Sequence, residues 1–347
     1  MQVTKPVDLS PGDRILVSRT DRLGDLILAL PFVATIKARY PQCRVEVLAS
    51  LYASPILENN DRIDGIVRVL NKQLVSDRLY KKDLLQKIRQ ADYRVVVALF
   101  PERHICQLFH KASIPTRIGT AGRFHSVFFN HHLLHSRRTN KKHEYEYNLD
   151  FLRFFREGVT IQSPMVYPRQ KETNNARRIL KEAGVEGEFI VLHPGSGGSA
   201  ERWPLDRFLQ LYEALVASGY QVLLSGSEKE GHIIDKRSRE MGIKVCNICG
   251  ETDLRTLGAV LSLANVVVAN STGPLHLAVA VGTKVMGLYP GKAVMSPARW
   301  GPLGAHDRVV VPTNKECHCP PNSCECMLTI TVERAAEEVV SLFNESD

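Results

Sequence analysis

The stretch from Phe189 to Leu215 constrains the fold most, because it changes from a strand pattern to a helix pattern across a glycine-rich loop. An apolar run ends at His193, the loop GSGGSA follows at 195–200, and an amphipathic helix pattern begins after Trp203. Glycine lets a backbone approach a ligand closely, and the unpaired N–H groups of a helix start attract anions. The stretch therefore predicts a phosphate-binding strand–loop–helix unit, with an ordinary strand-to-helix turn as the alternative interpretation.

A second unit of the same kind lies downstream, at 265–289. A strand pattern at 266–269 ends in Asn-Ser-Thr-Gly at 270–273, and Pro274 suits the first position of a short apolar helix. A further strand pattern follows at 284–288. Ligands of open parallel sheets bind at the carboxyl ends of the strands, where both loops fall. Two phosphate-type loops in one half predict one ligand with a diphosphate and a polar sugar.

The alternation of strand and helix patterns along all 347 residues predicts an α/β protein. The length suits two ordinary domains. The segment 162–171 contains two prolines and is the best candidate for a linker. We therefore expect two Rossmann-like domains with parallel sheets, at 1–165 and 166–330, and a C-terminal helix at 331–347 that packs back on the body.

Positive charge is concentrated in the first half of the chain. Residues 1–170 hold 27 Lys and Arg against 16 Asp and Glu, a net charge of +11, whereas the remainder holds 18 against 21. The window from Arg103 to His143 has no acidic residue and seven histidines. Such a field attracts phosphates, carboxylates, nucleic acid or an anionic membrane face, and a merely solvated basic face is the alternative.

The hydropathy pattern indicates neither a secretory signal nor a membrane span. No apolar run follows basic residues at the amino terminus, and no stretch approaches the ~20 apolar residues that a spanning helix needs. We expect a cytoplasmic protein whose basic half can associate peripherally with the inner face of the cytoplasmic membrane.

Asp25 stands out among the carboxylates, because it begins a helix pattern shortly after the first predicted strand. That strand, at 13–18, is followed by a polar loop that reaches Gly24. A carboxylate there lies at the ligand edge of a parallel sheet. It either caps the helix and interacts with its dipole, or takes a proton from a substrate hydroxyl as a general base. The pattern by itself leaves both interpretations open.

Four cysteines near the carboxyl terminus have a spacing that allows a metal site. Cys317, Cys319, Cys324 and Cys326 could supply a tetrahedral thiolate site for structural zinc. C-x-C pairs are less typical of zinc sites than C-x-x-C pairs, so free thiols are the alternative interpretation. A separate C-x-x-C at 246–249 runs off a strand pattern, and we interpret its cysteines as packing residues.

Three stretches, in this order, resemble those of glycosyltransferase family nine, the lipopolysaccharide heptosyltransferases. They are RTDRLGDLILALP at 19–31, HPGSGGSAERWP at 193–204 and NSTGPLHLA at 270–278. The resemblance spans nearly the whole chain and implies a GT-B fold, in which two Rossmann-like domains face a central cleft. It also implies an inverting transferase that needs no metal for catalysis, with ADP-heptose as donor and an anionic lipopolysaccharide core glycolipid as acceptor.

The resemblance also implies roles for individual positions. Asp25 matches the family's catalytic base, Glu230 a carboxylate that holds the ribose hydroxyls, and Thr252 lies near the expected base pocket. The full set of donor-site candidates is Ser196, Gly197, Arg202, Glu230, Thr252, Ser271, Thr272, Gly273 and His276. The acceptor-site candidates are the basic residues Arg22, Arg103, Arg123, Arg137, Arg138, Lys141 and His143.

Two positions depart from the family's pattern. Many members have Lys two residues before the Trp, where this chain has Glu201, and the adjacent Arg202 is the inferred replacement cation. The second donor loop often has Asp where this chain has Ser271. Both changes concern the donor, so a family-nine transferase that uses a different nucleotide-sugar is an alternative.

Other classes of protein fit less well. A nucleotide-dependent oxidoreductase also uses two βαβ domains, but no G-x-G-x-x-G follows the first predicted strand. A nucleic-acid binder would suit the basic half, but no binding module is recognisable, so we expect no nucleic-acid partner. The retention of Asp25 argues against a family member that only binds glycans.

Overall fold

The computed structural model describes residues 6–122, 124–134, 137, 140–198, 201–304, 307–313, 319 and 325–345. The chain divides into two compact units, Met1–Met165 and Val166–Asp347. Each unit has its own parallel sheet and its own apolar core. In the part of the chain that the structure describes, no helix is both long and apolar enough to cross a membrane.

The first unit is built, within its described residues, on a six-stranded sheet in which all neighbouring strands are parallel. The strands are β1 (Arg14–Ser18), β2 (Arg44–Ser50), β3 (Gly65–Val69), β4 (Val95–Ala98), β5 (Thr116–Thr120) and β6 (His131–Leu133). Their order across the sheet is β3-β2-β1-β4-β5-β6, which is the order of a Rossmann fold. The short β6 contains two histidines and no apolar run, so its pattern did not predict a strand.

Helices connect these strands, because parallel neighbours need a crossover. They are α1 (Leu23–Ile27), α2 (Leu30–Arg39), α3 (Asn71–Ser76), α4 (Arg78–Gln90), α5 (Arg103–Lys111) and α6 (Glu144–Leu149). Short 3₁₀ helices lie at Ser54–Leu57, Phe124–Phe128 and Asp150–Phe154. The sequence pattern at 145–156 predicts one helix, and the structure has an α-helix there that continues as a 3₁₀ helix.

The apolar periodicity of residues 26–39 predicts a single helix, and the structure differs there. The structure has two helices there, and Pro31 lies in the first turn of the second, α2. Proline has no backbone N–H, so it fits a first turn, where no intrahelical partner is needed. The break leaves α1, which carries Asp25, as a separate short helix just after β1.

The second unit has a five-stranded parallel sheet among its described residues. The strands are β7 (Ile190–His193), β8 (Val222–Leu224), β9 (Val266–Asn270), β10 (Lys284–Leu288) and β11 (Arg308–Val310). Their order is β11-β10-β9-β7-β8. The pattern at 244–248 predicts a further strand, but the structure has one parallel bridge there, between Leu224 and Asn247. With that bridge counted beside β8, the order is again that of a Rossmann fold.

The helices of the second unit alternate with its strands. They are α7 (Gln170–Glu182), α8 (Leu205–Ala217), α9 (Glu228–Glu240), α10 (Leu254–Leu263), α11 (Gly273–Ala280), α12 (Pro297–Trp300) and α13 (Val332–Asn344). Short 3₁₀ helices lie at Ala293–Met295 and Glu325–Thr329.

The C-terminal helix α13 packs into the core of the second unit. Val339 and Leu342 are fully buried and belong to the same apolar cluster as Trp203 and Phe208. The indole N–H of Trp203 donates to the carbonyl of Ile330, at 3.0 Å, just before α13 begins. The segment that leads into α8 is thereby joined to the last helix of the chain.

We expect Leu342→Ala to lower the free energy of unfolding of the second unit by about 2–5 kcal/mol, because it leaves a cavity at a fully buried position. Both tryptophans of the chain, Trp203 and Trp300, lie in this unit, so tryptophan fluorescence during urea unfolding reports on it. Glu337→Ala, at an exposed position of the same helix, is the matched control and should leave the midpoint unchanged. Equal midpoints for the two variants would contradict the packing of α13 into the core.

Candidate active site

In the first unit, Arg19 organises the loop that follows β1. Its side chain is buried. Nε donates to Asp21 Oδ1 at 2.8 Å, Nη1 donates to Glu144 Oε1 at 3.1 Å, and Nη2 donates to Asp25 Oδ1. Nη1 also donates to Asn148 Oδ1, at 3.0 Å. One buried guanidinium therefore fixes the positions of acidic groups from two distant parts of the sequence.

The same network determines the protonation of Asp25. Its side chain is 14% exposed and lies in the first turn of α1. Burial, the largest influence, raises the pKa of Asp25, and the negative charges of Asp21 and Glu144 raise it further. Arg19 lowers it, but the resulting pKa is about 6 instead of the ordinary 3.8. A carboxylate with this pKa is ionised at neutral pH and is more basic than an ordinary aspartate.

The helix α6 supplies the other side of this cluster. A capping box fixes its start, because His143 Nδ1 accepts from the N–H of Tyr145 at 3.3 Å and Glu146 Oε2 accepts from the N–H of His143 at 2.7 Å. Glu144 then lies in the interior, with 1% of its side chain exposed. Arg137 adds a second cation, 3.1 Å from Glu144 Oε1. Arg137 and His143, which the resemblance placed near the acceptor, thus support the cluster around Asp25.

The other basic candidates lie at the surface or outside the described residues. Those that the structure describes are exposed: Arg22, Arg103 and Lys141. The guanidinium of Arg103 lies 5.6 Å from the ring centroid of Phe124. Arg123 and Arg138 lie outside the described residues. Exposed cations can attract an anionic molecule through their field, but they do not by themselves define a binding site.

In the second unit, Asn270 joins the two loops with phosphate-type sequences. It is the last residue of β9 and is fully buried. Its Oδ1 accepts from the N–H of Trp203 at 2.8 Å, and its Nδ2 donates to the carbonyl of Pro194 at 2.8 Å. The loop after β7 is therefore held against the end of the neighbouring strand, β9.

The glycines of the loop after β7 lie close to the carboxylate of Glu230. A Cβ added to Gly195 would lie 2.2 Å from Glu230 Oε1. A Cβ added to Gly226, in the loop after β8, would lie 3.2 Å from Glu230 Oε2. Gly197 has a φ of +52°, and its backbone hydrogen-bonds to Glu230. The carboxylate of Glu230 is therefore enclosed by the backbone of two loops, and a side chain at Gly195 would displace it.

Hydrogen bonds keep Glu230 ionised. Its Oε2 accepts from the backbone N–H and the hydroxyl of Ser227, at 2.9 and 2.7 Å. Burial raises the pKa of Glu230, but the bonds from Ser227, the nearby His193 and the Gly197 backbone together lower it below its ordinary range. Burial also lowers the pKa of His193 to about 4, against the raising effect of Glu230, and His193 Nδ1 lies 2.9 Å from Ser225 Oγ. The imidazole is therefore neutral at neutral pH.

The remaining donor-site candidates follow the carboxyl ends of the strands. Ser196, Thr272 and His276 are buried, whereas Thr252, Ser271 and Gly273 are half-buried. Thr272 is the N-cap of α11, which Gly273 begins. The loop before Thr252 is joined to the loop after β8, since the N–H of Gly250 donates to the carbonyl of Gly226 at 3.0 Å. These positions therefore share one edge of the second sheet.

An ion pair lies at the same edge. Glu201 pairs with Lys292, and their side chains are 12% and 15% exposed. Arg202, the cation inferred from the sequence, is exposed. The sequence pattern does not indicate Lys292, because this residue lies in a loop outside the three motifs and 91 positions from its partner.

The structure does not support the predicted zinc site. Cys317 and Cys324 lie outside the described residues, while Cys319 is half-buried and Cys326 is buried. Within the described ranges, no three His, Cys, Asp or Glu side chains are grouped so that they could hold a metal ion. The four-cysteine site therefore stays a prediction.

Two Rossmann-like units, one with a basic aspartate after its first strand and one with phosphate-type loops, are the components of a GT-B glycosyltransferase fold. The model of a family described as glycosyltransferase family 9 (heptosyltransferase) matches residues 82–328, which is more than half of the chain. The chain belongs to glycosyltransferase family 9. It is therefore a glycosyltransferase, and the oxidoreductase alternative is set aside.

Similar proteins agree with this family. A Haemophilus influenzae protein provisionally named a glycosyltransferase is 28% identical, over 95% of this chain and 96% of that one. Lipopolysaccharide heptosyltransferase 2 of Salmonella typhimurium is 23% identical, over 96% and 99% of the two chains. The solved structure of Escherichia coli ADP-heptose lipopolysaccharide heptosyltransferase II aligns with a TM-score of 0.77 and 21% sequence identity. The alignment covers 95% of this chain and 98% of that one. That structural likeness shows the fold.

Replacing Arg19 with Gln removes the positive charge that three carboxylates share. We expect the free energy of unfolding of the first unit to fall by about 3–5 kcal/mol at pH 8. The loss should shrink towards pH 5. Without Arg19 the pKa of Asp25 in the folded state rises above about 6. At pH 5 the carboxyl group is then protonated, so its unpaired charge no longer destabilises the folded state. The destabilisation returns as the pH rises through the raised pKa.

Circular dichroism during urea unfolding measures this effect, with tryptophan fluorescence marking the transition of the second unit. Arg19→Lys is the matched control, because it keeps the charge and loses only the fork geometry. A loss for Arg19→Gln that is the same at pH 5 and pH 8 would contradict the electrostatic role of Arg19.

Proposed function

We propose that this enzyme transfers heptose from ADP-heptose to a lipopolysaccharide core acceptor, with inversion at the anomeric carbon. The observation that carries the proposal is Asp25, a partly exposed carboxylate with a pKa of about 6 that a buried arginine holds at the carboxyl edge of a parallel sheet. A group that is ionised at neutral pH and still basic suits the removal of a hydroxyl proton.

Asp25 is the general base of the proposed reaction. It takes the proton of an acceptor hydroxyl while the oxygen of that hydroxyl attacks the anomeric carbon. The bond between this carbon and the diphosphate oxygen breaks on the opposite face, and its electron pair leaves with the nucleoside diphosphate. The products are the inverted glycoside, the nucleoside diphosphate and protonated Asp25, which then loses its proton to solvent.

Arg19 is a positioning residue for this step. Its Nη2 fixes one oxygen of the Asp25 carboxylate, which leaves the other oxygen to meet a hydroxyl. An arginine paired with Asp25 alone would lower the pKa and weaken the base. Burial raises the pKa of Asp25, and because Arg19 is shared with Asp21 and Glu144, its lowering effect does not cancel that rise.

The second unit supplies what a nucleotide-sugar donor requires. The glycines of the loop after β7 and the start of α11 can offer backbone N–H groups to a diphosphate. Ionised Glu230 can accept hydrogen bonds from ribose hydroxyls, as the resemblance implies. Backbone N–H groups and a cation can stabilise the departing diphosphate, so the proposed transfer needs no metal. The name of the Escherichia coli relative supports ADP-heptose as the donor.

The first unit is the proposed site of the acceptor. Residues 1–170 carry a net charge of +11, which suits a glycolipid with acidic sugars and phosphates. The name of the Salmonella typhimurium relative supports a lipopolysaccharide acceptor. The same positive field favours a peripheral position at the inner face of the cytoplasmic membrane.

Asp25→Asn should lower kcat by roughly 10²–10⁴-fold, because the amide cannot take the proton of the hydroxyl. In the wild-type enzyme the transfer rate should fall as the pH drops through about 6, since Asp25 is then protonated. Asp21→Asn is the matched control: it removes a charge that raises the pKa of Asp25, so the fall in rate should move to lower pH. An Asp25→Asn enzyme with wild-type kcat in ADP-heptose transfer would rule out the base assignment.

The donor nucleotide is tested by thermal unfolding with ADP, UDP, GDP and CMP. We expect selective stabilisation by ADP, because a ligand that binds only the folded state adds about 2.7 kcal/mol at 100 times its Kd. Selective stabilisation by UDP or GDP would favour a family member that uses a different nucleotide-sugar. Glu201 and Ser271 would then be the first positions to examine, since both depart from the family's pattern.

A further inference from the structure

The ion pair of Glu201 and Lys292 has a defined place at the carboxyl edge of the second sheet. Glu201 lies two residues before Trp203, whose N–H is bonded to Asn270 at 2.8 Å. Lys292 lies four residues beyond the end of β10, the strand next to β9. The pair therefore joins the end of the loop that begins at Gly195 to the loop of a third strand.

A largely buried ion pair is costly for stability alone, because the desolvation of two charges offsets most of their attraction. A diphosphate that enters this unit also needs a local cation. The chain after residue 170 holds 18 Lys and Arg against 21 Asp and Glu, so its overall field repels an anion. Lys292 places a positive charge at the end of the glycine loop, where it offsets the repulsion between the unit and the diphosphate.

Lys292 can serve two acceptors at once. An ammonium group has three N–H donors, so Lys292 can keep its bond to Glu201 and also donate to a phosphate oxygen. Arg202 is less well placed, because it is exposed and solvent ions screen its charge. The geometry therefore favours Lys292 over Arg202 as the cation for the diphosphate.

We propose that Lys292 binds the diphosphate of the donor, and that Glu201 is a positioning residue that holds the ammonium group in place while its own negative charge limits the affinity. The inference rests on the proposed function for the presence of a diphosphate donor, but not on the identity of the sugar, the base or the acceptor. The proposal accounts for the negative charge at Glu201, because weaker binding of the nucleoside diphosphate speeds its release after transfer.

Isothermal titration of the full chain with inorganic pyrophosphate, ADP and adenosine tests this assignment. Lys292→Ala should weaken pyrophosphate and ADP binding by roughly 10–100-fold, the loss of one charged hydrogen bond, and leave adenosine binding unchanged. Lys292→Arg should recover part of the affinity. Glu201→Gln keeps an acceptor oxygen for Lys292 but removes the repelling charge, so it should tighten pyrophosphate binding by roughly 3–10-fold.

Lys236→Ala, at an exposed position of α9, is the matched control and should bind like the wild type. Thermal unfolding checks that Lys292→Ala is folded, and Lys292→Met, which keeps the apolar stem, replaces it otherwise. The proposal is overturned by wild-type pyrophosphate binding in a folded Lys292 variant, by a loss confined to Arg202→Ala, or by a wild type that binds neither pyrophosphate nor ADP. A fully active Asp25→Asn enzyme would leave it intact, since pyrophosphate binding needs neither acceptor nor base.

Discussion

Parallel strands can be neighbours only if a crossover returns the chain to the same end of the sheet, and this constraint places every following loop at the carboxyl edge. In the first unit that edge receives Arg19, directly after β1. In the second it receives the loops after β7, β8, β9 and β10. Groups that are remote in sequence meet there as a result, as the bond from Asn270 to the carbonyl of Pro194 shows across 76 positions. The candidate groups of each unit depend on this geometry.

The chemistry of the first unit depends on an imbalance of buried charge. Two arginines, Arg19 and Arg137, face three carboxylates, and Arg19 contacts all three. Buried charges persist only when they are paired and hydrogen-bonded, so the guanidinium groups hold the cluster together. Burial and, after it, the excess of negative charge keep the pKa of Asp25 at about 6. A stabilising network therefore also sets the basicity of Asp25.

The carboxylates of the second unit have different partners from those of the first. Glu230 accepts two hydrogen bonds from Ser227 and one from the Gly197 backbone, which lower its pKa in spite of burial. Glu201 is paired with Lys292. One carboxylate is thus fixed as a hydrogen-bond acceptor, and the other is held in an ion pair. Both arrangements suit the proposed binding of a nucleotide-sugar, while we assign the proposed proton transfer to Asp25.

Local signals in the sequence determined the alternation of strands and helices, the two glycine loops and the place of Asp25 just after β1. Apolar periodicity, glycine and proline act over a few residues, so they can be recognised without the fold. The secondary-structure predictions that were wrong also concern short segments. The strand β6 has no apolar run, and Pro31 begins a second helix instead of lying within one. The strand predicted at 244–248 is only a bridge at Asn247.

The tertiary structure alone decided which charges meet. Arg19 reaches Glu144 across 125 positions, and Lys292 reaches Glu201 across 91. Neither pair can be recognised from the sequence, because a charged residue that is buried in an ion pair gives the same local pattern as one that is exposed to solvent. The sequence thus determined where a base and a phosphate loop could lie. The fold decided how basic Asp25 is and which cation accompanies the glycine loop, because burial and Coulomb energy depend on distances that only packing sets.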